Sequence, residues 1–116
     1  MTGPAKLGLD ALQRRVVTLL APVAHPRIGC ALALAEEAGE VCKVVLDREV
    51  YGKPLDPDAL GGELADLLVA AAELAARYGI DLEAAVTKKL LDLEKRVPGW
   101  AEKLGPPLAD ARARMD

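Results

Sequence analysis

Apolar residues recur at helical spacing in four separate runs of this chain, and no stretch alternates with a period of two for long. Such a pattern supplies helix faces and leaves no material for a sheet, so the fold class it predicts is all-α. The first run, Leu9 to Ala21, places Leu9, Leu12, Val16, Leu19 and Leu20 on helical spacing before Pro22, His25 and Pro26 break it. The second, Ile28 to Val50, is dense in apolar residues through Ala35. It ends at Tyr51-Gly52-Lys53-Pro54, where Gly tolerates a left-handed turn and Pro follows. Leu55 to Asp58 read as a loop, with Asp56 or Asp58 capping a third helix of about Ala59 to Arg77, which Gly79 stops. Asp81 caps a fourth helix, Leu82 to about Arg96, with Glu83 at the positive end of its dipole and Pro98-Gly99 as its terminator. Trp100 to Asp116 reads as a tail, either loose or with a short helix after Pro107.

A length of 116 residues predicts a single domain, residues 1–116, with a core of about 28–96 and a C-terminal tail of 97–116. There is no Phe, and only two Tyr and one Trp, so Ala and Leu must fill the core. Small faces let helices approach closely, which favours a four-helix bundle. Apolar positions on both sides of the second and third helices indicate that more than one copy completes it. The net charge of −3 supplies no basic field, which argues against a nucleic-acid partner. The longest apolar runs, such as Leu67 to Ala72, are too short to span a bilayer, and the N-terminus lacks the apolar stretch of a secretory signal. Cys30 and Cys42 read as buried thiols in a reducing cytosol rather than as a disulfide. The expected location is therefore cytoplasmic, with no membrane partner.

Two acidic clusters interrupt these apolar runs: Glu36-Glu37-Ala38-Gly39-Glu40 and Glu63-Leu64-Ala65-Asp66. Residues three or four apart share a helix face, so Glu37 projects with Glu40 and Glu63 with Asp66. If the two helices pack side by side, four carboxylates converge, and such a group repels itself unless protons or cations neutralise it. Lys43 is the one cation within a turn of the first cluster, and the second has none within four residues. Hard oxygen ligands of this kind suit Mg²⁺ or Mn²⁺, and Mg²⁺ in turn suits phosphate chemistry. Gly61-Gly62 is not a phosphate-binding loop and reads as relief for close packing.

The pattern Glu-Glu-x-x-Glu, then 22 intervening residues, then Glu-x-x-Asp resembles the MazG-like nucleoside triphosphate pyrophosphohydrolases of the all-α NTP pyrophosphatase superfamily. The resemblance extends through Leu34 to Val41, Glu63 to Leu68, and Gly79 to Val86 with Lys88 and Arg96 following, roughly Ile28 to Arg96 in all. It implies a four-helix bundle completed by a homo-oligomer, dimer or tetramer. It also implies cleavage of (d)NTP to (d)NMP and pyrophosphate in nucleotide-pool house-cleaning. By resemblance, Glu37, Glu40, Glu63 and Asp66 bind Mg²⁺, and Glu36 supports them or orients or deprotonates the attacking water. Lys88, Arg96 and Lys53 neutralise phosphate charge. Many members carry Asn two residues after the position of Lys88, where this chain has Leu90, and Lys89 adjoins Lys88. Two rival functions share parts of the pattern: phosphoribosyl-ATP pyrophosphohydrolase, and a non-catalytic helical module that binds a nucleotide or a partner helix.

Other residues carry weaker signals. His25, the only histidine, reads as a surface or turn residue, and no Ser-His-Asp or Cys-His arrangement surrounds it. Trp100 reads as a seal of the bundle or a subunit interface, or as a platform for a substrate base. Tyr51 is a lesser candidate for the same stacking. Glu73 and Arg77 lie one and two turns along the third helix and read as a surface ion pair rather than as part of the groove.

Overall fold

The computed structural model describes residues 6–116; the N-terminal segment read for a secretory signal lies in part outside the described residues. Four α-helices follow one another: α1 (Leu9–Leu20), α2 (Arg27–Glu49), α3 (Pro57–Arg77) and α4 (Leu82–Met115). No strand occurs among the described residues, so the all-α class stands. The last turn of α1 tightens into a 3-10 turn, Ala21–Val23. Pro22 has no N–H to continue the α ladder, and the Ala24 N–H reaches back to the Ala21 carbonyl instead.

The chain forms two compact units, one ending at Leu82 and one spanning Glu83–Asp116. In the first unit α3 is central, packing against both α2 and α1. The described apolar residues that are buried outright are Val16 of α1, Cys30 of α2, and Ala72 and Ala75 of α3. Three of these four are small, and close approach of the helix backbones follows from that. Asp56 caps α3, its Oδ1 accepting from the Asp58 N–H at 3.0 Å, and Pro57 occupies the first helical position, where its missing N–H costs no helical bond. At the other end Gly79 adopts φ +67. The Ile80 N–H then reaches the Ala75 carbonyl at 2.9 Å and the Gly79 N–H reaches Ala76 at 3.1 Å, a Schellman closure.

Gln13 contributes a clip that the apolar pattern could not announce. Its Nε2 donates to the Ile80 carbonyl at 2.6 Å, and its Oε1 accepts from the Leu82 N–H at 3.0 Å. The chain leaving α3 is thereby tied to α1, and a first-turn donor that has no helical partner is satisfied.

The second unit corrects the sequence reading. Helix α4 does not end at Pro98-Gly99; it continues to Met115 with Pro98, Pro106 and Pro107 inside it. Each proline removes its own N–H bond and biases the residue before it, which weakens a helix locally without forbidding it. Glu94, the residue whose carbonyl loses the Pro98 bond, is exposed, so water can serve that oxygen. Ion pairs one turn apart, Arg96–Asp92 at 3.1 Å and Arg114–Asp110 at 3.3 Å, brace the helix on both sides of the prolines.

Candidate metal centre

Helices α2 and α3 are joined by a short loop that turns at Gly52, where φ +66 lets the Lys53 N–H reach the Asp47 carbonyl at 3.0 Å. The two helices therefore run antiparallel, and contacts step in opposite directions along them. Glu37 meets Asp66 and Glu63 near the middle of the two helices; two turns further from the loop, Cys30 meets Glu73.

Carboxylate oxygens of Glu37, Glu63 and Asp66 all lie within 4.8 Å of one another. Glu37 and Glu63 are half-buried and Asp66 is exposed, so the group opens to solvent on one side. Glu37 is held above the ordinary carboxylate range, first by loss of hydration and then by the negative charges of Asp66, Glu36, Glu63 and Glu40. A cluster of hard oxygens that resists its own charge fits a divalent cation that keeps part of its water shell. Of the four carboxylates assigned to metal from the sequence, three come together. Glu40 lies outside the three-residue group and is exposed, though its charge still acts on Glu37. Glu36 is exposed and likewise acts on Glu37.

The far end of the seam overturns one expectation. Glu73 is not in a surface pair with Arg77. Its side chain is only 12% exposed, and its Oε1 accepts from the Cys30 thiol at 2.9 Å and contacts His25 Nδ1 at 3.4 Å. The position, one turn on from Ala70, lies on the same stripe as Asp66, and the seam draws it inward. The Cys30 hydrogen bond, with further help from His25, holds Glu73 below the ordinary carboxylate range against the opposing effect of burial. Burial and the Glu73 carboxylate push the Cys30 thiol up, so it stays a protonated donor. His25 keeps its turn position, with the added contact to Glu73.

A cavity of about 150 Å³ joins the two ends, with Glu37 and Asp66 at one and Cys30, Glu73 and His25 at the other. Both cysteines are free thiols; Cys30 is buried as expected, but Cys42 is exposed. Five residues past Glu37, Cys42 points roughly 140° round the helix from the seam, away from α3.

The other sequence-assigned residues stand apart from the cluster or on the second unit. The Lys53 Nζ lies 3.7 Å from Asp47 Oδ1 in the turn after α2. Lys88 and Trp100 are exposed on α4, and Arg96 there donates to Asp92.

An antiparallel helical hairpin bearing three convergent carboxylates defines a class of acid-lined, all-α proteins suited to a divalent metal. The sequence profile of the MazG nucleotide pyrophosphohydrolase domain matches residues 29–100, well over half of the chain, and the chain belongs to that family. The match begins in α2 beside Cys30 and takes in both acidic clusters. No significant match is found among curated proteins. Family membership makes the chain a nucleotide pyrophosphohydrolase, a hydrolase of phosphoanhydride bonds.

Proposed function

We propose that the chain is a Mg²⁺-dependent nucleoside triphosphate pyrophosphohydrolase, a single MazG-like domain that cleaves (d)NTP to (d)NMP and pyrophosphate and cleans the cytoplasmic nucleotide pool. The observation that carries this reading is the convergence of Glu37, Glu63 and Asp66 within 4.8 Å, with Glu37 unsettled by its neighbours. Phosphoanhydride hydrolysis needs charge neutralisation and a positioned water more than covalent catalysis, and carboxylate-held Mg²⁺, or Mn²⁺ in its place, supplies that neutralisation. Glu37, Glu63 and Asp66 hold the ion, with Glu40 joining from the next turn of α2. Glu36 orients the attacking water or takes its proton. Lys53, Lys88 and Arg96 are the proposed phosphate-neutralising cations and Trp100 a substrate contact; these assignments rest on their places in the family pattern alone.

A homo-oligomer belongs to the same proposal. Among the described residues four small or medium side chains are buried apolar ones, whereas Ile28 and Leu32 of α2 are 68% and 64% exposed. On α3, Leu64 and Leu68 are also exposed. Large apolar side chains left exposed on both helices favour an association surface, and a second copy supplies a matching one by symmetry. Among the described residues no single helix is long and apolar enough to cross a membrane.

The test is pyrophosphate release from a panel of NTPs, dNTPs and phosphoribosyl-ATP, with and without Mg²⁺, beside a Glu40→Gln, Asp66→Asn double variant. Metal-dependent release from an NTP or dNTP, lost in the variant, is expected. Preference for phosphoribosyl-ATP would move the enzyme to the histidine-pathway reaction, and no release from any nucleotide would sink the reading.

A further inference from the structure

The α2–α3 seam holds a second polar group that the phosphate chemistry does not use. Cys30, Glu73 and His25 close the cavity at the end opposite Glu37 and Asp66. Seven residues of helix separate the two ends on each side, about 10 Å along the axis. That span is comparable to the reach of a nucleotide from its α-phosphate across the sugar to the base. The walls between are Ala33, Val69 and Ala70, small and apolar, and they suit a flat ring.

We propose that Glu73 reads the base of the substrate, selecting nucleobases that present an amino group over their oxo counterparts: cytosine over uracil, adenine over hypoxanthine. The inference rests on the nucleotide pyrophosphohydrolase reading above and names the substrate class for the same groove. Glu73 is mostly buried, and the Cys30 thiol and His25 already fix its orientation. A carboxylate offers about four acceptor sites and no donor. The Cys30 thiol and the His25 ring both meet Oε1, two partners for about four acceptor sites, so the carboxylate keeps acceptor capacity for a ligand N–H. An exocyclic amine meets that site as a hydrogen-bond donor to a charged acceptor. A carbonyl oxygen in the same place would face a carboxylate oxygen, acceptor against acceptor, and leave both desolvated and unpaired. The thiol of Cys30, held protonated, keeps the carboxylate charged without competing as a base.

The experiment compares kcat/KM for dCTP against dUTP and for dATP against dITP in the Mg²⁺-loaded full chain, wild type and Glu73→Gln. Calorimetric binding of α,β-imido dCTP and dUTP runs in parallel. Wild type is expected to favour the amino base about tenfold to a hundredfold, carried mainly by KM and matched in binding. Glu73→Gln is expected to lose that preference, because its carbonyl stays on the Cys30 thiol and its N–H₂ then presents a donor to the base, while Mg²⁺-dependent release continues. Equal handling of the paired bases by wild type, or an unchanged preference in a folded Glu73→Gln, overturns the inference and leaves the pyrophosphohydrolase reading standing. Absence of turnover on every nucleotide overturns that reading instead, and the binding arm then decides the role of Glu73. If Glu73→Gln fails to fold, Glu73→Asp keeps the charge and must keep the amino preference; its reversal also overturns the inference.

Discussion

Two carboxylates two turns apart on one helix seam behave in opposite ways. Glu73 sits where protein donors come to it, the Cys30 thiol at 2.9 Å and His25 at 3.4 Å, and its charged form is favoured. Glu37 sits where the nearest polar neighbours are other acids, and its charged form is disfavoured. The first is a carboxylate whose charge the fold's own donors support; the second is one whose charge calls for a cation. Burial acts against both, so the presence of donors, not the degree of burial, separates them.

The largest expected effect breaks the unsatisfied end. Asp66→Asn is expected to lower Mg²⁺-dependent kcat/KM for pyrophosphate release by on the order of 10²–10³-fold, the scale of losing one preorganised electrostatic element. A loss under tenfold would place the metal elsewhere.

Next comes the satisfied end. Glu73→Ala strips an acceptor from the buried Cys30 thiol and from His25, and is expected to cost about 1–3 kcal/mol in urea unfolding at neutral pH. The pH dependence gives a sharper test. The folded-state pKa of Glu73 is depressed, so its contribution is present above the unfolded carboxylate range and is lost as pH falls through the folded value. The difference in stability between wild type and Glu73→Ala should therefore shrink on acidification.

Glu37 carries the reverse sign. Its folded-state pKa is raised, so what it contributes is present at low pH and is lost as pH rises through the folded value. In metal-free protein at neutral pH, Glu37→Gln is therefore expected to raise Tm, and to abolish the Tm gain expected of the wild type at saturating Mg²⁺. A lowered Tm without metal would mean that Glu37 is already satisfied, and the contrast with Glu73 would fail.

The smallest expected effect concerns the two thiols of α2. Exposed Cys42 should react readily with a thiol reagent in the native protein, while Cys30, buried and held protonated, should react only on unfolding. Cys42→Ser should change stability by no more than about 0.5 kcal/mol. Comparable labelling of both cysteines would show that the Cys30–Glu73 end opens in solution.

Much of this was readable along the chain. Helical spacing located α1, α2 and α3 to within two residues at each end, because proline and glycine punctuate them: Pro22 and Pro26, Gly52, and Gly79 with its positive φ. Asp56 and Asp58 were both legible as caps, and the structure decides for Asp56, whose side chain accepts from the Asp58 N–H. The gathering of acids was legible in part because i,i+3 spacing puts Glu63 and Asp66 on one face wherever a helix forms. Glu73 was misread because its cation one turn on, Arg77, offers a local partner, whereas its actual partners lie on another helix and in the preceding turn. The end of α4 was misread because Pro98 is a strong local stop signal whose cost an otherwise favourable helix can absorb.

The sequence alone therefore settles which residues share a face, since a fixed period of about 3.6 residues per turn is a property of the backbone. It leaves open how one face slides against another. The register of α2 against α3 brought Glu37, rather than Glu40, into the group with Glu63 and Asp66, and set Cys30 opposite Glu73. Register is set by how side chains interlock across the seam, and such packing exists only once the helices meet.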